Sequence, residues 1–159
     1  MKISVVCVGK VKEAFYRDAI AEYAKRLSRY TTLQFYEVAD EKTVDGASEA
    51  VERKVIETEG QRILKYLDDD AFKVALCIDG RKVDSVSFSR RIEEWKNNGF
   101  SHIQFIIGGS LGLSEAVVKA ADWRLSFSDM TFPHQLMRVI LLEQVYRAFR
   151  ITNGEPYHK

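Results

Sequence analysis

Residues 125–159 read LSFSDMTFPHQLMRVILLEQVYRAFRITNGEPYHK. The stretch opens with apolar–polar alternation, Leu125-Ser126-Phe127-Ser128, as a short strand would. It breaks at Phe132-Pro133, because a residue before proline is pushed away from α geometry. A strongly patterned segment, residues 134–150, follows at once and reads as a long final helix. Asn153-Gly154 is a turn signal. The chain then ends on Glu155-Pro156-Tyr157-His158-Lys159, which is far from the featureless charged tail of a disposable terminus.

Upstream, strand-like and helix-like segments alternate. Lys2–Val8 is nearly all apolar and stops at Gly9, the pattern of a strand covered on both faces. Residues 12–29 place Tyr16, Ile20, Tyr23 and Leu27 on one helical face. Thr32–Val38 is a second strand, and residues 40–48 a polar loop. Residues 49–67 return to helical spacing, with a possible break at Gly60, since glycine weakens a helix by about 1 kcal/mol. The third strand is expected over residues 72–78, closed by a turn at Asp79-Gly80. A helix over 86–95, a strand over 103–107, a short helix capped by Ser114 and a strand over 123–127 complete the series. Such an order predicts one α/β domain, residues 1–159, with a largely parallel sheet flanked by helices.

Composition narrows the function classes. The chain has 159 residues, 46% hydrophobic and 30% charged, which suits a single soluble domain with a full core. No apolar run is long enough for a transmembrane helix or a signal segment, so a cytoplasmic protein is expected. A net charge of +1 means that nucleic-acid binding must rest on local patches rather than on bulk charge. Cys7 and Cys77 lie in apolar strand-like runs without a CxxC pair, so both are expected as buried thiols. His102, His134 and His158 are too scattered for a local metal motif, and no metal is expected. His102 reads as a satisfied surface residue and His134 as a helix-start residue.

Parallel α/β sheets bind ligands at the carboxyl ends of their strands. Three loops qualify here: residues 79–82, residues 108–112 (GGSLG) and residues 127–132. The glycine loop is neither GxGxxG nor a P-loop, and no GxSxG elbow is present. Two rival classes remain open at this level. One is a transferase using another nucleotide-like ligand; the other is a non-catalytic binding module.

Four separated motifs carry a resemblance. They are Ile107-Gly108-Gly109-Ser110-Leu111-Gly112, the run from Leu125 through Phe132-Pro133-His134 to Arg138, Glu143-Gln144-Val145-Tyr146-Arg147-Ala148, and Pro156-Tyr157-His158-Lys159. In order and spacing they resemble the RlmH family, the SPOUT-class methyltransferases of large-subunit ribosomal RNA, over the whole chain. The resemblance implies a SPOUT fold with a C-terminal deep trefoil knot, the knot and cofactor site lying within about residues 72–159. It implies S-adenosyl-L-methionine as cofactor, held by Leu76, Gly108, Phe127, Ser128, Asp129, Met130, Thr131 and Phe132. It implies a homodimer that methylates N3 of a pseudouridine in 23S rRNA on the assembled ribosome.

That nitrogen carries a proton and is a poor nucleophile until the proton leaves, so a nearby acceptor would help. His158 is the expected base, because imidazole titrates near neutral pH. Tyr157 is expected to stack on a base and Arg138 to orient the uracil ring or a phosphate. Both tail residues would reach the other subunit's cofactor from a dimer interface built on the last helix. Lys10, Lys12, Arg17, Arg81, Lys82, Arg138 and Lys159 are the candidates for a local basic mouth.

Overall fold

The structure is a computed structural model describing residues 1–159. Its elements run β1 (Lys2–Val8), α1 (Ala14–Leu27), β2 (Thr32–Val38), α2 (Glu49–Leu64), β3 (Phe72–Lys82), α3 (Ser85–Asn97), β4 (His102–Ile107), α4 (Glu115–Ala120), β5 (Trp123–Ser126) and α5 (His134–Thr152). The strands form one 5-stranded sheet in the order β2-β1-β4-β3-β5. Every pairing is parallel. The carboxyl ends of β1, β4 and β3 therefore lie side by side along one rim.

Alternation along each strand divides the core in two. Ile3, Val5 and Cys7 of β1, with Ile103, Phe105 and Ile107 of β4, face α1, α3 and α5. Leu141, Leu142, Val145 and Phe149 of α5 fill that layer, each such side chain contributing about 1.5–3 kcal/mol of apolar burial. Val6, Val8 and Ile106 face the other way, onto Ile63 of α2 and Val117 of α4. The same second face holds a buried polar cluster. Ser4 Oγ lies 2.7 Å from His102 Nε2, Gln104 Nε2 donates to Ser4 Oγ at 3.2 Å, and His102 Nδ1 lies 3.1 Å from Asp68 Oδ2. Each polar group has partners, as a buried network requires.

Several sequence expectations change. β3 does not stop at Ile78: it runs on through Lys82, with a register shift between Leu76 and Arg81 against β5. Gly80 is needed for packing, since a Cβ there would meet the Leu125 carbonyl carbon at 2.7 Å. Gly60 does not break α2, which ends at Leu64 rather than Leu67. A Cβ at Gly60 would sit 2.3 Å from Ser114 Oγ, so the glycine lets α4 approach α2. His102 is buried, not at the surface. Cys7 is buried as expected, but Cys77 is half-exposed.

Candidate active site at the carboxyl ends of the strands

Residues from the carboxyl-terminal parts of β3 and β4, and from the segment after β5, close around a cavity of about 920 Å³. Leu76, Cys77, Ile78 and Asp79 form one wall, and residues 107–113 a second. The crossing segment 127–133 forms the third, with the start of α5 at its end. The glycine loop is held tightly. Gly112 N donates to Gly109 O at 3.0 Å, and Gly112 takes the left-handed φ of 87° that favours glycine. Gly108 is different: its φ is not left-handed, but a Cβ there would meet the Gly112 carbonyl carbon at 2.7 Å. Behind the loop lies Glu59 of α2, whose buried carboxyl accepts from Glu41 N at 3.0 Å and is pushed above its usual range by burial.

The expected cofactor residues mostly converge. Leu76, Gly108, Phe127, Ser128, Met130, Thr131 and Phe132 all line the cavity. Asp129 does not: its side chain points outward and pairs with Lys82 Nζ at 2.5 Å. The crossing segment is shaped by its own serines, with Ser126 Oγ donating to Ser128 O at 3.1 Å and Met130 N to Ser128 Oγ at 3.0 Å. Charge in the lining is sparse. No lysine or arginine is among the lining residues, and Asp79 is the one acid. Phosphate-bearing cofactors are usually met by basic side chains or a glycine cradle of the P-loop kind. This wall of apolar groups and backbone suits a ligand whose charge is not a phosphate.

Cys77, Met137 and His134 also line the cavity, and the sequence reading did not place them there. For His134 the signal was present, because it begins the helix that follows one of the three candidate loops. Its environment holds its imidazole below the ordinary range, first through burial and then through the charge of Arg138.

The other expected site residues lie elsewhere in the chain. Arg138 is 2% exposed. Its Nη1 donates to Glu37 Oε2 at 2.7 Å, and its Nη2 donates to Val8 O at 3.0 Å and Gly9 O at 2.7 Å. Within one chain this guanidinium clamps α5 to the ends of β1 and β2. Tyr157 and His158 do not line their own chain's cavity. Tyr157 Oη donates to Glu143 Oε1 at 3.0 Å, while the Arg147 guanidinium lies 4.6 Å from the Tyr157 ring centroid. Burial and the Glu143 carboxylate push the Tyr157 phenol up to about 12. Arg147 Nη1 lies 3.4 Å from His158 Nδ1, and His158 is exposed. The tail is thus docked on the far end of α5.

A family model described as "Predicted SPOUT methyltransferase" matches residues 1–158. The ribosomal RNA large subunit methyltransferase H of Bifidobacterium adolescentis is 59% identical over 159 residues, covering 100% of both chains. The chain belongs to the SPOUT methyltransferases, in the ribosomal RNA large subunit methyltransferase H family. Solved structures outside that close group share the SPOUT fold. A probable methylase family protein of Haemophilus influenzae superposes with a TM-score of 0.56 at 14% identity, covering 99% of this chain and 70% of that one. A Legionella pneumophila protein described as a methyltransferase, solved in complex with the bound cofactor SAM, gives 0.51 at 9% identity, covering 94% and 66%. Membership in this family removes the rival reading of a transferase using another nucleotide-like ligand. No helix is long and apolar enough to cross a membrane.

Proposed function

We propose that this SPOUT methyltransferase uses S-adenosyl-L-methionine to methylate N3 of a pseudouridine in 23S rRNA, on the assembled ribosome and in the cytoplasm. The observation that carries the reading is the cavity: about 920 Å³, at three adjacent strand ends, walled largely by backbone and apolar groups, with no lysine or arginine in its lining. Its size lies within the range of roughly 300–1,000 Å³ typical of small-molecule sites. When bound, the cofactor supplies a methyl group on a cationic sulfur, which needs neither a metal nor phosphate-binding arginines. Leu76, Gly108 and the 127–132 segment then bind it, chiefly through backbone and apolar contact, while Asp129 acts from outside by anchoring the segment to Lys82. Proximity and alignment are the main contribution such a site makes.

The path of the chain supports the knot. After pairing with β3 at the sheet edge, the chain crosses the ends of β3 and β4 and returns as α5 to the end of β1. That course is the one a threaded C-terminus takes, a rare exception among protein connections.

A homodimer accounts for the distance between tail and cavity. Leu136, Ile140, Glu143 and Arg147 form one half-buried stripe along α5. At about 1.5 Å per residue, the helix separates its cavity end from its tail end by somewhat under 30 Å. Two-fold antiparallel pairing across the stripe sets each tail beside the partner's cavity. There His158 would accept the N3 proton and Tyr157 would stack on the base, with Lys10, Lys12 and Arg17 meeting phosphates around the mouth.

The test has two arms. Calorimetry should find binding of S-adenosylmethionine and S-adenosylhomocysteine but not of NAD or ATP. Single-turnover transfer of labelled methyl to 70S ribosomes lacking the modification should fall by ~10²–10⁴ in His158→Ala, with cofactor binding nearly unchanged. Wild-type transfer by a protein lacking residues 157–159 would refute the tail's role.

A further inference from the structure

The mechanism above leaves His134, a polar group of the cavity wall, without a use. His134 lines the wall at the first turn of α5, and its Nδ1 is buried with no hydrogen-bond partner. Its other ring nitrogen, Nε2, also has no protein partner and is not enclosed in the same way. A buried orphan N–H is rarer in proteins than an under-used acceptor. The neutral ring therefore keeps its lone pair on Nδ1 and its proton on Nε2. Burial and the Arg138 charge both favour that neutral form, opposed more weakly by the Asp40 and Glu13 carboxylates. The result is a hydrogen-bond donor on a residue of the cavity wall.

Position decides which ligand meets it. The expected cofactor wall is built on β3, β4 and the segment after β5. His134 follows the end of that segment and stands by the end of β1, where a Cβ on Gly9 would lie 3.7 Å from its Cε1. In the sheet order, β1 is on the other side of β4 from β3. Resting on the reading of a pyrimidine-N3 methyltransferase, we propose that His134 is a substrate-binding donor whose Nε2–H holds a carbonyl oxygen of the target pyrimidine. N3 of a uracil-type ring lies between two carbonyl groups. When its proton leaves, negative charge spreads onto both oxygens, and a donor on one of them stabilises the anion that attacks the methyl. The positive end of the α5 dipole lies at the same place and acts in the same sense. His134 keeps its own proton throughout; the N3 proton goes to a different acceptor.

The geometry of amide replacements makes the test specific. His134→Gln returns a donor near the Nε2 position, His134→Asn returns one only near Nδ1, and His134→Phe keeps the ring without a donor. Each variant is titrated with S-adenosylhomocysteine and then assayed in single-turnover transfer to saturating, unmodified 70S ribosomes. Homocysteine-cofactor affinity should stay within about threefold of wild type in all three, because the donor faces the substrate. Transfer should fall roughly 10²-fold in Asn and Phe, the size of losing one donor to a developing oxyanion. The Gln variant should recover to within about tenfold of wild type. Parallel loss of S-adenosylhomocysteine affinity would make His134 a cofactor or folding residue and overturn the proposal. Wild-type transfer in all three variants would overturn it as well. Wild-type protein that binds cofactor yet never methylates these ribosomes would instead refute the substrate reading, and the role of His134 with it.

Discussion

Gly108→Ala tests the glycine loop at its tightest point. The added Cβ would lie 2.7 Å from the Gly112 carbonyl carbon, 2.8 Å from its oxygen and 3.0 Å from Leu113 N. Relief to an ordinary contact near 3.4 Å requires the Gly112 end of the loop to move by about 0.7 Å. That neighbour is backbone, so it has no rotamer in which to retreat. Overpacking of this kind costs about 1–3 kcal/mol. In a domain of this size each kcal/mol lowers Tm by about 2–4 °C, so the variant should melt roughly 2–12 °C below wild type and still fold. The ligand pays separately. The loop forms one cavity wall, and a displacement of about 0.7 Å takes a backbone hydrogen bond of about 2.9 Å out of its effective range. Affinity for S-adenosylmethionine should drop at least tenfold, about 1.4 kcal/mol. Calorimetry at a temperature where the variant is folded measures this directly. Wild-type affinity together with an unchanged Tm would refute the reasoning, because it would mean the loop has room that the geometry denies.

Arg138→Ala leaves the Val8 and Gly9 carbonyls without their donor; with Glu37 free to turn toward water, the loss should be about 2–3 kcal/mol by urea unfolding, and Arg138→Lys should recover only part of it. Gly60→Ala should destabilise by about 1–3 kcal/mol by pressing on Ser114, and adding Ser114→Gly, which is nearly neutral at a helix N-cap, should restore most of the loss. His102 and His134 both have imidazoles held below the ordinary value near 6.5, chiefly by burial. The unfolded chain therefore takes up their protons first as pH falls below about 6.5, and stability should decline from there downward, levelling only below the folded values. Thermal melts of His102→Gln across pH 7 to 5 should show a shallower decline than wild type.

Much of the fold was legible because strand residues speak for themselves. β1 and β2 have the bounds read from their apolar and alternating runs. Glycine was the ambiguous letter. Asp79-Gly80 reads as a turn and Gly60 as a helix break, yet both glycines serve close packing between elements distant in sequence. Only the fold reveals that Leu125 and Ser114 are their neighbours. His102 misled for a similar reason: a histidine at a strand start is ordinarily wet, and its partners Ser4 and Asp68 come from two other segments. The cavity was legible at two of its walls, the loops at 108–112 and 127–132, since a parallel sheet fixes where its strand ends gather; of residues 79–82 only Asp79 lines it, and the rest continue β3. The direction of single side chains was not legible, which is why Asp129 was grouped with its neighbours although it turns out toward Lys82.

The last helix shows why residues 125–159 decide the fold and still conceal the site. α5 is apolar on more than one side. One side, Leu141, Leu142, Val145 and Phe149, is buried in the core, and Arg138 on it fastens the helix to the end of β1. The stripe through Leu136 and Ile140 remains half-buried in a single chain, although no core need explains its apolar character. A helix apolar around much of its girth needs burial on more than one side. The tail is pinned to Glu143 and Arg147 on that same stripe, so whatever covers the stripe also meets Tyr157 and His158. A second copy satisfies both requirements at once. Light scattering should therefore find a dimer at micromolar concentration, and Ile140→Glu should dissociate it while leaving cofactor binding measurable. A stable wild-type monomer would break the link between the apolar stripe and the tail, and would return His158 to the role of an ordinary surface residue.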